Sequence, residues 1–112
     1  MKITELAEEL QLKVFTGEAL LEKEISGGYV SDLLSDVMGN AAEGNVWLTL
    51  QNHLNVVAIA SLKELACVIL VKGIAPSAEV IDKARNEEVV MLGSNENTFE
   101  LAGKVFRLLN NE

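Results

Sequence analysis

The chain has 112 residues, 49% of them apolar, and carries nine Lys and Arg against seventeen Asp and Glu, a formal charge of -8. A chain of this length buries about 65% of its unfolded surface, so it is expected to fold unaided as one domain over residues 1–112, and its apolar content excludes disorder. Acidic residues spread along the chain repel phosphate backbones and anionic lipid heads, and the longest apolar runs (56–60 and 66–71) fall far short of the roughly 18 residues of a membrane span, which leaves nucleic acid and membranes outside the expected partners.

Ile3, Leu6, Ala7 and Leu10 recur at helical spacing, with Glu5, Glu8 and Glu9 outward and Thr4 at the capping position, which predicts a first helix. This start is not a secretory signal, and the single cysteine fits a reducing cytoplasm. Lys13–Thr16 reads as a short strand stopped by Gly17, and 18–24 is open between helix and loop. The run ISGGYV (25–30) reads as an extended segment whose two glycines allow a bulge or a close backbone approach. Ser31 is placed to cap a short helix over 32–38 that Gly39 and Asn40 end.

Residues 46–50 form a strand, and 54–65 a helix apolar almost all round. The run 67–71 is a buried strand, 77–87 an amphipathic helix packing Val80, Ile81 and Ala84, and 89–92 another buried strand. Thr98–Leu109 is a closing helix packing Phe99, Ala102, Phe106 and Leu109. Strand and helix thus alternate three times over about sixty residues, the pattern of consecutive βαβ units. The expected fold is an α/β domain of three layers, with a largely parallel central sheet and helices on both faces.

An α/β sheet places ligands beyond the carboxyl ends of its parallel strands. Gln51, Asn52, the only histidine, His53, and Asn55 fall at such an end. They read either as one wall of a polar pocket or as a helix cap with a satisfied first turn. Asp32 and Asp36, four apart, would share one helix face and invite a cation or donor, or else complement the helix dipole and face solvent. The Gly73 turn lies at the same sheet edge and joins them as a candidate ligand contact. With one histidine, no multi-histidine metal site is expected. Gly27-Gly28 lacks the spacing of a dinucleotide or phosphate loop. Cys67 opens a buried strand with no basic neighbour and reads as structural rather than catalytic.

Four runs in order, GGYVSDLLSDVM, QNHLNVVAIA, VILVKGIAP and NTFELAGKV, give the chain a layout that resembles the DRTGG domain over nearly its whole length. That module is similar to the N-terminal domain of HPr kinase/phosphorylase and occurs beside catalytic regions of phosphotransacetylases and in CBS-containing pyrophosphatases. The first run resembles the family's early extended segment and helix. The second stands at its aspartate-arginine junction, with Asn52 and His53 in place of Asp and Arg. The third stands at its threonine-glycine-glycine turn, of which Gly73 is kept after Val71 and Lys72. The last resembles the closing helix, Thr98 and Phe99 matching well.

The resemblance implies a stand-alone regulatory or accessory domain that binds a small ligand or a partner protein, such as an enzyme or kinase, without catalysis, cofactor or metal. An alternative from another class is a homodimeric assembly module. Self-association is expected in either case, because the helices over 54–65 and Thr98–Leu109 offer more apolar surface than a small core covers. A small enzyme using His53 as base and Asp36 as its orienter is the third reading.

Overall fold

The computed structural model describes residues 1–110. Among them, five strands and five helices follow one another: α1 (Ile3–Glu9), β1 (Lys13–Thr16), β2 (Gly27–Val30), α2 (Leu34–Asn40), β3 (Asn45–Thr49), α3 (Leu54–Leu62), β4 (Cys67–Leu70), α4 (Ala78–Asn86), β5 (Met91–Gly93) and α5 (Thr98–Leu109). A 3-10 turn over Glu18–Leu20 fills part of the stretch the sequence leaves open.

One sheet runs in the order β1-β5-β4-β3-β2. β2 to β5 are parallel and only β1, antiparallel to β5, departs from that direction. Alternation along the strands sends Val46, Leu48, Cys67, Ile69 and Leu92 to the face covered by α1 and α5. Trp47, Val68, Leu70 and Met91 point to the other, covered by α2, α3 and α4. Because both faces are buried, β4, the middle of β3 (Val46–Leu48) and the first two residues of β5 read as apolar runs, and the polar Asn45 and Thr49 stand only at the ends of β3, each hydrogen-bonded. The expected three-layer α/β fold is present. α3 is apolar nearly all round because it is wedged between α2 and α4 as well as the sheet.

β1 joins β5 through a bulge, with Val14 opposite Leu92 and Thr16 opposite Met91, so that Phe15 is the extra residue. The fully buried Thr16 hydroxyl donates to the Val89 carbonyl at 2.7 Å and accepts from the Met91 amide at 3.0 Å, pairing backbone groups that the bulge would otherwise strand.

Three helices end in the same way. Past α1, α3 and α4, a left-handed residue, Gln11 (φ 52°), Glu64 (φ 53°) or Glu88 (φ 56°), turns the chain back. The next residue, Leu12, Leu65 or Val89, is buried and donates its amide to the carbonyl of Ala7, Ala60 or Ala84 at 2.9, 3.0 and 2.9 Å respectively. These are Schellman ends without the usual glycine, each closed by an apolar contact into the core.

Several boundaries differ from the sequence expectation. α1 is capped two residues earlier than expected, by Lys2 with the Glu5 carboxylate accepting from the Lys2 amide at 2.8 Å, so Thr4 lies inside the helix. α2 covers Leu34–Asn40 rather than 32–38: Leu33 is its N-cap, Asp32 stays outside, and Gly39 and Asn40 are helical. α3 stops at Leu62 because the Glu64 turn intervenes. β5 begins at Met91, two residues late, since Val89 closes α4. The largest correction concerns α5, whose buried residues are Leu101 and Val105, while Phe99 and Phe106 are 88% and 70% exposed.

Candidate functional site

The carboxyl ends of β3, β4 and β5 form one edge of the sheet, and the loops that leave them are tied together by side chains. Asp32, from the loop after β2, accepts from the Thr49 hydroxyl at 2.8 Å and the Leu50 amide at 2.7 Å. Gln51 returns the contact through its amide, which donates to the Asp32 carbonyl at 3.1 Å. Asn52 reaches across to the next loop and donates to the Ala75 carbonyl at 2.9 Å. His53 is the N-cap of α3, its Nδ1 accepting from the Asn55 amide at 3.3 Å, and both His53 and Asn55 are exposed.

Gln51, Asn52 and Asp32 are therefore brought together, with His53 and Asn55 beside them. Asp36 is not among them. With Asp32 outside α2, the two aspartates share no helix face; Asp36 instead lies 2.9 Å from the Tyr29 hydroxyl through each carboxylate oxygen and accepts from the Asn40 amide at 3.1 Å. Hydrogen bonding from the hydroxyls of Ser31 and then Tyr29, helped by Asn40, holds its carboxyl below the ordinary carboxylate range against partial desolvation. The same bond, with desolvation second, raises the Tyr29 hydroxyl above its ordinary value. Among the described residues no hydrogen bond joins His53 to Asp36, so the pair has no base-and-orienter geometry.

Gly73 sits in a turn of two consecutive left-handed residues, Lys72 at φ 59° and Gly73 at φ 71°. This conformation aims both amides at the loop after β5: Lys72 donates to the Glu96 carbonyl and Gly73 to the Ser94 carbonyl, each at 2.8 Å. Glycine suits the second position twice over, since a Cβ there would also press on Asn95 Oδ1 at 3.3 Å. Gly73 lines a hollow of about 190 Å³ bounded by Lys13, Phe15, Ile74 and Asn95.

A second hollow of about 510 Å³ adjoins it, lined by Glu9, Glu96, Lys104, Arg107 and Leu108. Gln11, Ser94 and Asn95 border both. The resulting trough carries Lys13, Lys104 and Arg107, three of the nine cations of a chain with charge -8. Lys104 is held toward Glu96 at 2.6 Å. Sequence reasoning missed these residues. GSNEN, at the end of β5, carries the same polar signature as QNHLN at the end of β3 and marks the same sheet edge; Lys13 comes there only because β1 runs antiparallel.

Chemically the edge offers amides, hydroxyls and ammonium groups but no activated nucleophile. Burial pushes the Cys67 thiol up to about 12. No group of three His, Cys, Asp or Glu is arranged to hold a metal ion among the described residues. No helix among them is long and apolar enough to cross a membrane.

Comparison with known proteins agrees with the architecture. The chain superposes on a crystal structure of the CBS and DRTGG domains of the regulatory region of a Clostridium perfringens pyrophosphatase complexed with its activator, diadenosine tetraphosphate, with a TM-score of 0.71 and 14% identity. The match covers 94% of this chain and 45% of that one, so the likeness is one of fold over less than half of the larger protein. No curated protein sequence matches the chain. A family model described as the DRTGG domain matches residues 5–108, a span that includes every strand and every helix described above save Ile3, Thr4 and Leu109, and the chain belongs to the DRTGG domain family.

Proposed function

We propose that this chain is a non-catalytic regulatory domain of the cytoplasm that binds a small phosphorylated ligand, a nucleotide in the first instance, in the trough at the carboxyl edge of the sheet. The observation that carries the reading is the concentration of Lys13, Lys104 and Arg107 around Ser94 and Asn95 in an otherwise acidic molecule. Cations at the open end of parallel strands, beside loop amides and hydroxyls, are the groups that hold a phosphate. Gly73 forms part of the wall. Gln51, Asn52, His53 and Asn55 make the adjoining rim, joined to it by the Asn52 to Ala75 hydrogen bond, with Asp32 behind them and Asp36 outside the site. The pyrophosphatase region of similar fold is complexed with diadenosine tetraphosphate, which makes that dinucleotide the natural first probe.

Calorimetric titration and thermal shift with diadenosine tetraphosphate, AMP and inorganic phosphate test the reading. A saturable shift with a nucleotide is expected, weakened at least about tenfold in Lys13→Glu and Lys104→Glu, both exposed at the trough. No shift with any of the three overturns it. A second reading, self-association for assembly or for docking a partner enzyme, is favoured by the exposed aromatic side chains of α5.

A further inference from the structure

β2 is the last strand of the sheet, and among the described residues no strand pairs with its outer side. Backbone amides alternate in direction along a strand. The Ser31 amide donates to the Leu48 carbonyl of β3 at 3.4 Å, so Tyr29 shares that direction, and Gly28 and Val30 turn their N–H and C=O groups outward. The edge reads GGYV, without the lysine or proline that usually blunts an open edge. Above it, between β2 and α5, runs a groove of about 930 Å³ with Gly28, Val30, Ala102, Phe106 and Leu109 in its lining. Val30 is 49% exposed there, beside the two uncovered phenylalanines. The groove holds two cations, Lys104 and Arg107, against one acid, Glu100, so an acidic molecule presents here a face without excess negative charge.

We propose that the occupant of this groove is a second copy of the chain, joined by antiparallel pairing of β2 with its symmetry mate about a two-fold axis at Tyr29. In that register Gly28 lies opposite Val30 of the other copy, and the outward N–H and C=O groups of both residues meet in two hydrogen-bonded pairs. Gly28 and Val30 also point to the same sheet face, the one under α5. Each Val30 side chain therefore drops into the space that the facing Gly28 leaves empty. The helix above repeats the symmetry. Phe99 and Phe106 stand two turns apart with Gly103 between them, where a Cβ would meet nothing within 4 Å. Two antiparallel α5 helices crossing at Gly103 place Phe99 of each copy against Phe106 of the other and join the two five-stranded sheets into one of ten strands. Lys104 and Arg107 border both the groove and the cationic trough, but Val30 and Phe106 line the groove alone, so variants at these two positions test the pairing apart from the ligand reading.

Sedimentation equilibrium on the full chain, with Val30→Lys, Phe106→Glu and Leu62→Glu variants, tests the pairing. The expected result is a dimer whose dissociation constant rises at least about tenfold in each of the first two variants and is unchanged in Leu62→Glu, which alters an equally exposed residue of α3. Unfolding midpoints close to that of the parent confirm that the loss is not misfolding, and nucleotide-induced thermal shift on Val30→Lys reads the ligand site separately. In the proposed register Tyr29 meets its own counterpart in a non-hydrogen-bonded pair, where Cα atoms approach closely enough for a disulfide. Tyr29→Cys should then cross-link under mild oxidation, whereas Leu62→Cys should not. A parent chain that stays monomeric at high concentration, or a dimer broken by Leu62→Glu and not by Val30→Lys and Phe106→Glu, overturns the proposal.

Discussion

The Tyr29 hydroxyl lies 2.9 Å from both carboxylate oxygens of Asp36, and its single proton is shared between them. That contact ties the edge strand β2 to α2 on the face away from α5. It also couples stability to pH at two ends. The Asp36 carboxyl is lowered from its ordinary 3.8, so its contribution is fully present above that value and lost as pH falls through the lower folded one. The Tyr29 hydroxyl is raised from 10.0, so its contribution is present below that value and lost as pH rises through the higher folded one. Tyr29→Phe should therefore lower the unfolding midpoint by a constant amount between about pH 5 and 9, with the gap closing at both extremes. A gap that does not change with pH would contradict this assignment.

Gln11, Glu64 and Glu88 occupy left-handed positions that cost an L-residue roughly 1 kcal/mol. Replacement by glycine relieves that cost while keeping the terminal hydrogen bonds, although it also frees the unfolded chain. Glu64→Gly and Glu88→Gly should each stabilise the protein by about 0.5 to 1 kcal/mol and should add in the double variant, since they close different helices. Denaturant unfolding measures both claims.

These same ends explain where sequence reading lost accuracy. A helix stop without glycine or proline gives no local signal, so the expected helix over 54–65 runs through the turn at Glu64, and the expected strand over 89–92 takes in Val89, the residue that closes α4. The order of elements and the parallel sheet were legible because burial on both faces leaves unbroken apolar runs at β3 and β4. α5 shows the limit of reading a single element. Phe99 and Phe106 carry the larger apolar surface, but the sheet meets the stripe of Leu101 and Val105 instead, a choice set by how the helix docks. At the candidate site, Gln51 and Asn52 lie at the strand end where the sequence puts them, whereas Asp32, expected on a helix face with Asp36, reaches them from the loop before α2. Asp36 was misplaced by a two-residue error in the start of α2, and Lys13 needed the antiparallel β1 to bring it there.

Thr16→Val should be costly although it conserves volume. The buried hydroxyl has one donor and one acceptor role, and its loss leaves the Val89 carbonyl and the Met91 amide without those partners at the bulge. A loss of about 1 to 3 kcal/mol is expected from denaturant unfolding. Thr16→Ser, which keeps the hydroxyl, should recover part of it.

Cys67 should be silent to thiol reagents in the native state. It is buried in the opening residue of β4, and its thiol, pushed up to about 12, yields almost no thiolate at neutral pH. Labelling by a disulfide reagent should be slow in buffer and stoichiometric in denaturant. Fast native labelling would show that the β3, β4 and β5 core opens far more readily than its packing implies.

The polar residues after β3 should be cheap to remove and informative when removed. His53 is exposed and caps α3 through one long hydrogen bond of 3.3 Å, and Asn52 is exposed and bound to a single carbonyl. Neither is a buried partner whose loss strands another buried group, so His53→Ala and Asn52→Ala should each cost less than about 1 kcal/mol, below what a buried partner costs. Asn52 nevertheless fixes the β3–α3 loop against Ala75, two residues past Gly73. Asn52→Ala should therefore loosen the turn that walls the trough and weaken nucleotide binding more than it weakens the fold. Severe destabilisation of either variant, with unchanged binding, would make the cluster a structural clamp on the sheet edge and would confine the ligand site to the trough between β5, β1 and α5.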